Sequence, residues 1–164
     1  MRVPRTGIFI QARSNSSRLP GKIYAGLPGA PDTALLEHIY KRLSALSGAE
    51  VVVLAPESDS YLLNWCEARG MRSFSGPEDD VRERYRAAAR HFDVDIVVRA
   101  TGDNPCVDPD IARDTIQALH AGEADLLSYG NLPLGVAVEA IRREALLSDL
   151  IPAEQTHREH VSLH

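Results

Sequence analysis

The sequence has few features of a secreted, membrane-spanning or nucleic-acid-coating protein. Its 164 residues include only two cysteines, Cys66 and Cys106, so a disulfide framework is not expected and a cytoplasmic location is predicted. No apolar run approaches the roughly 18 residues of a membrane span, which predicts no membrane partner. The net charge of -5 does not favour the extended basic face that a general nucleic-acid binder needs.

Acidic residues are absent from positions 1–31, although the whole chain is acidic. That stretch carries five cations and no anion. Three of the cations, Arg13, Arg18 and Lys22, follow an apolar run that stops at Gln11, with small polar residues between them. Such a local excess of positive charge just after a predicted strand indicates a small anion site, because Arg and Lys grip phosphate oxygens. A solvated basic loop is the alternative interpretation.

Short apolar runs alternate with segments of helical periodicity along the chain. Strands are predicted at 7–11, 50–54, 72–74, 94–100, 124–128 and 135–141. Helices are predicted near 32–48, 58–69, 79–91 and 109–121. Asp32 or Thr33 is expected to cap the first helix and Asp108 the last. This alternation predicts a three-layer α/β/α, Rossmann-like fold with a mostly parallel sheet, whose ligands bind beyond the carboxyl ends of the strands.

Three acidic or histidine-rich segments could hold a metal. Asp103 lies just beyond a predicted strand, where a carboxylate facing a phosphate site would suit Mg²⁺, although an Asx turn is the simpler alternative. Asp108-Pro-Asp110 matches the loose DxD pattern of metal-dependent glycosyltransferases, but a helix cap is favoured there. The histidines at 157, 160 and 164 have the spacing of a zinc-binding helical face, but a partly exposed terminal helix is the favoured interpretation.

Four segments together resemble the cytidylyltransferases that activate acidic sugars (acylneuraminate and 3-deoxy-manno-octulosonate enzymes), most closely the spore coat polysaccharide biosynthesis branch. They are IQARSNSSRLPGK at 10–22, LLEHIYKRL at 35–43, SGPEDDVRERYRAAA at 75–89 and TGDNPCVDPDI at 101–111, with a weaker REHVS at 158–162. The resemblance implies a single nucleotidyltransferase-like domain over residues 1–164. It also implies that this domain is shortened at its C-terminus, because family members continue further.

The resemblance implies transfer of CMP from CTP to a sugar or other small acceptor, expected to be an acidic sugar, in polysaccharide or surface-glycan precursor synthesis. Nucleotide contacts are implied for Gln11, Ala12, Arg13, Ser16, Ser17, Arg18, Lys22, Ser75 and Asp80. Arg13 and Lys22 are also the implied catalytic residues, since they would neutralise charge that develops as pyrophosphate leaves. Mg²⁺ is the implied cofactor, with Asp103 and Glu139 as its ligands. A homodimer is left open.

Two positions depart from the family pattern. Asn15 replaces a turn glycine, and asparagine tolerates positive φ better than other side chains do. Ala137 stands where the family segment Gly-Leu-Asp-Val-Glu has an aspartate, the second metal ligand, so Glu139 is the implied substitute. This departure keeps a second hypothesis open, a catalytically weakened member that binds nucleotide or a partner. A metal-dependent glycosyltransferase is the third hypothesis.

Overall fold

The computed structural model describes residues 4–16 and 18–148, which form a sheet covered by helices on both faces. The strands are β1 (Thr6–Gln11), β2 (Gly26–Leu27), β3 (Ala30–Ala34), β4 (Ala49–Pro56), β5 (Ser73–Gly76), β6 (Ile96–Thr101), β7 (Leu126–Ser128) and β8 (Glu139–Arg142). The helices are α1 (Leu35–Ser44), α2 (Ser60–Glu67), α3 (Val81–His91), α4 (Pro109–Ala121) and α5 (Arg143–Leu147), with a 3-10 helix at Lys22–Tyr24.

The main sheet has six strands in the spatial order β5-β4-β1-β6-β8-β7. The first four are mutually parallel, and β8 runs antiparallel to both of its neighbours, β6 and β7. β1 therefore lies at the centre, with Gln11 paired to Leu54 on one side and to Thr101 on the other. The predicted mostly parallel sheet is confirmed.

Side chains that alternate along β1 enter two separate cores, as the period of a strand requires. Ile8 and Ile10 are fully buried on the face covered by α1, α2 and α4. Phe9 points to the opposite face, where α3 and α5 contribute the buried Tyr85 and Leu146. The strand is thus apolar on both faces because helices cover both, and the predicted three-layer arrangement is confirmed.

Of the two helix caps predicted from the sequence, the one for α1 was wrong and the one for α4 is confirmed. The prediction that Asp32 or Thr33 caps α1 was wrong, because both residues lie in β3, whose end pairs with β2 in a small hairpin, and Ala34 precedes the helix without a side-chain cap. Asp108 does cap α4, with its Oδ1 accepting from the N–H groups of Asp110 and Ile111 at 2.8 and 3.1 Å. Its place in the loose DxD pattern is therefore explained by capping.

The antiparallel edge of the sheet differs most from the sequence-based bounds. β7 and β8 cover 126–128 and 139–142, whereas 124–128 and 135–141 were predicted. Among residues 4–16 and 18–148, no helix has the length and apolar character needed to cross a membrane. The three histidines considered for zinc lie outside the described residues.

Candidate active site

Two cavities open at the carboxyl edge of the parallel strands. The first cavity, of about 390 Å³, lies beyond β1 and β4 and is lined by Gln11, Ala12, Arg13, Ser14, Asn15, Pro56, Ser58, Asp59, Glu78, Val81 and Arg84. The second cavity, of about 330 Å³, lies beyond β6 and β8 and is lined by Arg99–Thr101, Asn104, Ser128–Gly135 and Ala137–Glu139. Ligands of parallel α/β sheets bind at this edge, so both cavities are candidate sites.

The basic loop, residues 12–22, is fixed to the start of α2 by one serine. Ser14 donates from its backbone N–H to Asp59 Oδ2 at 2.7 Å and from its hydroxyl to Asp59 Oδ1 at 2.8 Å. Asp59 is also the N-cap residue of α2, where it accepts from the Leu62 N–H. Gly21, at φ 71°, donates to the Ser14 carbonyl at 2.8 Å and closes the loop. The loop is therefore anchored on the wall of the first cavity.

Two cations of the basic loop have different surroundings. Arg13 lies exposed on the lining of the first cavity. Lys22 is instead paired through its ammonium group with the carboxylate of Asp103, across the ends of β1 and β6. Partial burial alone would raise the pKa of the Asp103 carboxyl, but the hydrogen bond and charge of Lys22 outweigh it and hold that pKa below its usual range. Asp103 is thus ionised beside the loop.

The ends of β1 and β6 lie close together. This brings the basic loop, which follows β1, next to the Asp103 segment, which follows β6. The Gly102 N–H donates to the Gln11 carbonyl at 2.8 Å, and the Ala12 N–H donates to the Leu54 carbonyl at 3.0 Å. A Cβ at position 102 would lie only 3.0 Å from the Ala12 Cβ, so glycine permits this contact. Asp103 and the basic loop consequently share one rim of the site.

Arg84 is a buried residue of the first cavity that sequence reasoning missed. Its side chain, with the residue only 2% exposed, donates from Nε and Nη2 to the Pro77 carbonyl at 3.1 and 2.6 Å and from Nη2 to the Glu78 carbonyl at 3.0 Å. Burial lowers the pKa of this guanidinium. A Cβ at Gly76 would lie 2.8 Å from Arg84 Cγ, so glycine makes room for it. An arginine on the otherwise apolar stripe of a predicted helix was the available signal.

The residues predicted to bind nucleotide do not all line the first cavity. Those in its lining are Gln11, Ala12 and Arg13. Those outside its lining are Ser16, Arg18, Lys22, Ser75 and Asp80. Of these, Ser16 is buried and Arg18 is exposed, and Asp80 caps α3 by accepting from the Glu83 N–H at 2.8 Å. Ser17 lies outside the described residues.

The two carboxylates predicted to bind Mg²⁺ have separate partners. Asp103 pairs with Lys22, whereas Glu139 lies in the second cavity and accepts from Arg99 Nη1 at 2.9 Å. In the part of the chain that the structure describes, no three His, Cys, Asp or Glu residues cluster as metal ligands. Mg²⁺ usually takes one or two protein carboxylates and completes its shell with water and substrate phosphates. An ionised, half-exposed Asp103 next to a phosphate-type loop suits that mode.

Comparisons with known proteins identify the family of this chain. The family model described as cytidylyltransferase matches residues 8–163. The chain belongs to the cytidylyltransferase family. The Bacillus subtilis spore coat polysaccharide biosynthesis protein SpsF is 32% identical over 162 residues, covering 95% of this chain and 68% of that protein. This confirms the predicted family and its spore coat branch.

Further relatives of this cytidylyltransferase-family chain define the fold and the extent of the match. A solved cytidylyltransferase from Leptospira borgpetersenii superposes with a TM-score of 0.87 at 30% identity, covering 97% of this chain and 69% of that one. The 3-deoxy-manno-octulosonate cytidylyltransferase of Anaeromyxobacter dehalogenans is 33% identical over 117 residues, which is 70% of this chain but 47% of that enzyme. The chain thus spans about half to two thirds of the length of these curated relatives.

Proposed function

We propose that this protein transfers CMP from CTP to a sugar acceptor and releases pyrophosphate. The observation that carries the proposal is the basic loop, held on the wall of the first cavity by the two hydrogen bonds from Ser14 to Asp59. A loop with Arg13 on the cavity lining and Lys22 on its rim offers the cations that a triphosphate needs. Membership of the cytidylyltransferase family makes CTP the expected nucleotide.

The proposed reaction is an in-line displacement at the α-phosphorus of CTP. An acceptor hydroxyl oxygen forms the new bond to phosphorus, the bond from phosphorus to the β-phosphate oxygen breaks, and the hydroxyl proton is lost to solvent. Negative charge then develops on the leaving pyrophosphate. Arg13, on the cavity lining, and Lys22, beside Asp103, are the residues proposed to neutralise that charge, which is the main way in which a protein lowers such a barrier.

Mg²⁺ is the proposed cofactor, with Asp103 as the residue that would hold it. A bound Mg²⁺ would neutralise phosphate oxygens and favour the departure of pyrophosphate. The pairing of Asp103 with Lys22 keeps the carboxyl ionised, and therefore competent as a ligand. Glu139 is the second ligand of this proposal; it lines the second cavity with a side chain only 19% exposed, whereas the 40% exposed Asp103 lies beside the basic loop.

The base is expected at the deep end of the first cavity, where Arg84 fixes the turn at Pro77 and Glu78. Fixed backbone groups discriminate between bases well because they lose little entropy on binding. An acidic sugar is the proposed acceptor, since a curated relative is named for 3-deoxy-manno-octulosonate. The reaction is proposed to take place in the cytoplasm and to supply precursors for a polysaccharide or surface glycan. A homodimeric assembly is left open.

The direct test is a screen for pyrophosphate release with the four common nucleoside triphosphates and a panel of acidic sugars, with and without Mg²⁺. Release with CTP alone, in the presence of Mg²⁺ and one acid, is the expected result. In parallel, CTP is titrated calorimetrically into the parent and into Lys22→Ala. The variant should lose roughly 1.5–3 kcal/mol of binding free energy, as for a charge-assisted contact.

Lys41→Ala is the control for this titration, because Lys41 pairs with Glu37 on α1 and lies outside both cavities. It should leave CTP affinity unchanged. If Lys22→Ala and Lys41→Ala both bind CTP as tightly as the parent, the basic loop is only a solvated loop and the proposed nucleotide site is wrong.

A non-catalytic, nucleotide-binding protein is the second candidate function. It is favoured by Ala137, a residue of the second cavity where the family pattern has an aspartate. This candidate predicts CTP binding by calorimetry without pyrophosphate release for any acceptor. CTP-dependent release with one acceptor would eliminate it.

A further inference from the structure

Tyr24 lies just beyond the end of the basic loop and contacts the start of that loop. Its phenol oxygen is within hydrogen-bonding distance of Ser14 Oγ. The single hydroxyl proton of Ser14 goes to Asp59 Oδ1 at 2.8 Å, and a carboxylate has no proton to return, so Tyr24 donates to Ser14. Burial raises the pKa of the Tyr24 phenol above its usual value, so this donor keeps its proton at neutral pH. A chain of donors therefore runs from Tyr24 through Ser14 to the carboxylate.

The two ends of the basic loop meet at Ser14. The Gly21 N–H donates to the Ser14 carbonyl at 2.8 Å, and the Tyr24 hydroxyl binds the Ser14 side chain. The loop is therefore closed at a neck, which consists of Ser14, Gly21 and Tyr24. Arg13 directly precedes this neck, and Lys22 directly follows Gly21. The neck consequently fixes the backbone from which both of these cations project.

The ring of Tyr24 is held by two aromatic residues of α2. It packs edge-on against Tyr61 and Trp65, with ring centroids 5.3 and 5.0 Å apart. Arg69 covers the Trp65 ring, with its guanidinium carbon 4.0 Å from the ring centroid. Edge-on contacts stabilise one orientation of a ring, and here that orientation directs the hydroxyl to Ser14. The ring of Tyr24 is thus fixed on α2 by contacts that do not involve its hydroxyl.

We infer that Tyr24 is a positioning residue for the triphosphate of the nucleotide. It lies outside the lining of the first cavity and acts through Ser14, so that Arg13 and Lys22 are already placed when the ligand arrives. A segment of small polar residues, such as 14–16, would otherwise lose conformational entropy on binding, which weakens affinity. This inference rests on the proposed function, namely on its CTP-binding step.

Tyr24→Phe tests this inference, because it removes the hydroxyl and keeps the ring on α2. Tyr40→Phe is the matched control. The Tyr40 hydroxyl donates to the Val51 carbonyl at 3.3 Å and accepts from the Arg72 N–H at 3.1 Å, and Tyr40 lies outside the lining of the first cavity. Each protein is titrated calorimetrically, in the presence of Mg²⁺, with CTP, with inorganic triphosphate and with CMP, which lacks the β- and γ-phosphates.

Tyr24→Phe should weaken the binding of CTP and of inorganic triphosphate by the same factor, about three- to tenfold, and leave the affinity for CMP nearly unchanged. Tyr40→Phe should be less stable than the parent in urea but bind all three ligands as the parent does. Hydrogen exchange of the Gly21 amide reports on the neck without any ligand, and it should be faster in Tyr24→Phe alone. Fluorescence of Trp65, the protein's only tryptophan, should keep the parent wavelength in Tyr24→Phe because the ring cluster stays intact.

Ser14→Ala and the double variant show through which partner Tyr24 acts. In the Ser14→Ala background the acceptor of the Tyr24 hydroxyl is gone, so adding Tyr24→Phe should weaken CTP binding little further. Ser14→Ala alone should weaken CTP binding more than Tyr24→Phe does, because it also removes the hydroxyl bond to Asp59. Losses that add in the double variant would mean that Tyr24 does not act through Ser14, which would overturn the inference.

Three other outcomes would overturn the inference. The first is a Tyr24→Phe protein that binds CTP as tightly as the parent. The second is an equal weakening of CMP and CTP, which would indicate general damage to the site. The third is an equal loss of CTP affinity in Tyr40→Phe. A parent that binds neither CTP nor inorganic triphosphate would overturn the inference together with the proposed function, whereas absence of pyrophosphate release in a parent that binds CTP would overturn only the proposed transfer.

Discussion

The two cavities share one edge of the sheet, but their walls are held in different ways. The first cavity is fixed by charged side chains that reach across the fold, since Asp59 holds the basic loop and Arg84 holds the turn at 77–78. One wall of the second cavity is formed by residues 128–135, which expose apolar side chains to solvent. Leu134 is 99% exposed and Tyr129 is 42% exposed. One ion pair, Arg99 to Glu139, supplies its charge.

This difference fits the proposed transfer reaction, in which the donor nucleotide would be common to the family and the acceptor would differ between its members. A wall fixed before binding suits a ligand common to the whole family, because preorganised contacts lose little entropy on binding. A wall of solvent-exposed side chains suits a ligand that differs between relatives. Curated relatives carry names that refer to 3-deoxy-manno-octulosonate and to its 8-amino derivative. Four predictions test the contrast.

The largest effect is expected for Arg84→Met, which removes three hydrogen bonds from a buried guanidinium. The free energy of unfolding should fall by about 3 kcal/mol, and the affinity for CTP should fall with it. Urea denaturation and calorimetry measure the two quantities. Arg90→Met, on the same helix, is the control because it breaks an exposed pair with Glu83, which is worth at most about 1 kcal/mol. If Arg84→Met and Arg90→Met lose equal free energy of unfolding and equal CTP affinity, the hydrogen bonds of Arg84 do not fix the first cavity.

A smaller effect is expected for Asp59→Ala, which removes both the cap of α2 and the anchor of the basic loop. The expected loss is about 2 kcal/mol, against about 1 kcal/mol for Asp108→Ala, which removes only the cap of α4. Only the Asp59 variant should bind CTP more weakly. If the two variants retain equal affinity, the loop does not depend on its anchor and the comparison between the cavities loses its main support.

The pair between Lys22 and Asp103 links the basic loop to the segment that follows β6, and its effect depends on pH. Because the folded-state pKa of Asp103 is lowered, the pair stabilises the fold above the ordinary pKa of an aspartate and this contribution is lost as the pH falls through the lowered value. Asp103→Asn should therefore be less stable than the parent at pH 7, by less than about 1 kcal/mol for such an exposed pair, and equally stable in strong acid.

An NMR titration provides the sharper measurement of this pair. In Lys22→Met the cation is lost while the partial burial of Asp103 remains, so its carboxyl should titrate at a higher pH than in the parent. An unchanged titration of Asp103 in Lys22→Met would mean that the two groups do not interact in solution.

The smallest effect is expected for Ala137→Asp in the second cavity. A second carboxylate should lower the Mg²⁺ concentration needed for pyrophosphate release and tighten Mg²⁺ binding measured by calorimetry with CTP present. Glu139→Gln should reduce turnover, because it removes the partner of Arg99. Ala124→Asp, at an exposed position, controls for the added charge. If Ala137→Asp and Ala124→Asp behave alike, the second-ligand prediction is wrong.

The parallel half of the fold was predictable because its signals are local. The strands near 7–11 and 50–54 are apolar on both faces, and Asp108 followed by proline is a cap that needs no tertiary contact. The hairpin of β2 and β3 was missed because its sequence, with Pro31 and Asp32, has no strand pattern. Its pairing depends on Gly26, where a Cβ would lie 2.1 Å from the Pro31 carbonyl oxygen.

The sequence predicted which segments form the site, but it did not predict which residues in them contact one another. The basic loop and Asp103 follow strands, so their meeting at one edge could be inferred from strand order alone. The anchor from Ser14 to Asp59 joins residues 45 positions apart, and no local pattern indicates it. Ser75 and Asp80 were selected from a motif; neither lines the first cavity and Asp80 caps α3, and their contact with a nucleotide stays a prediction.

The central position of β1 has a consequence for the chain while it is being synthesised on the ribosome. Thr6 pairs with Ile96, ninety residues later, and an N-terminal strand emerges from the ribosome long before that partner is made. During that interval the apolar Ile8–Ile10 stretch, fully buried in the finished protein, has no neighbour on the β6 side. Exposed apolar strands invite aggregation, and charged residues next to them act as gatekeepers. Arg13, Arg18 and Lys22 stand beside this strand, so they would protect a nascent chain before any ligand is bound.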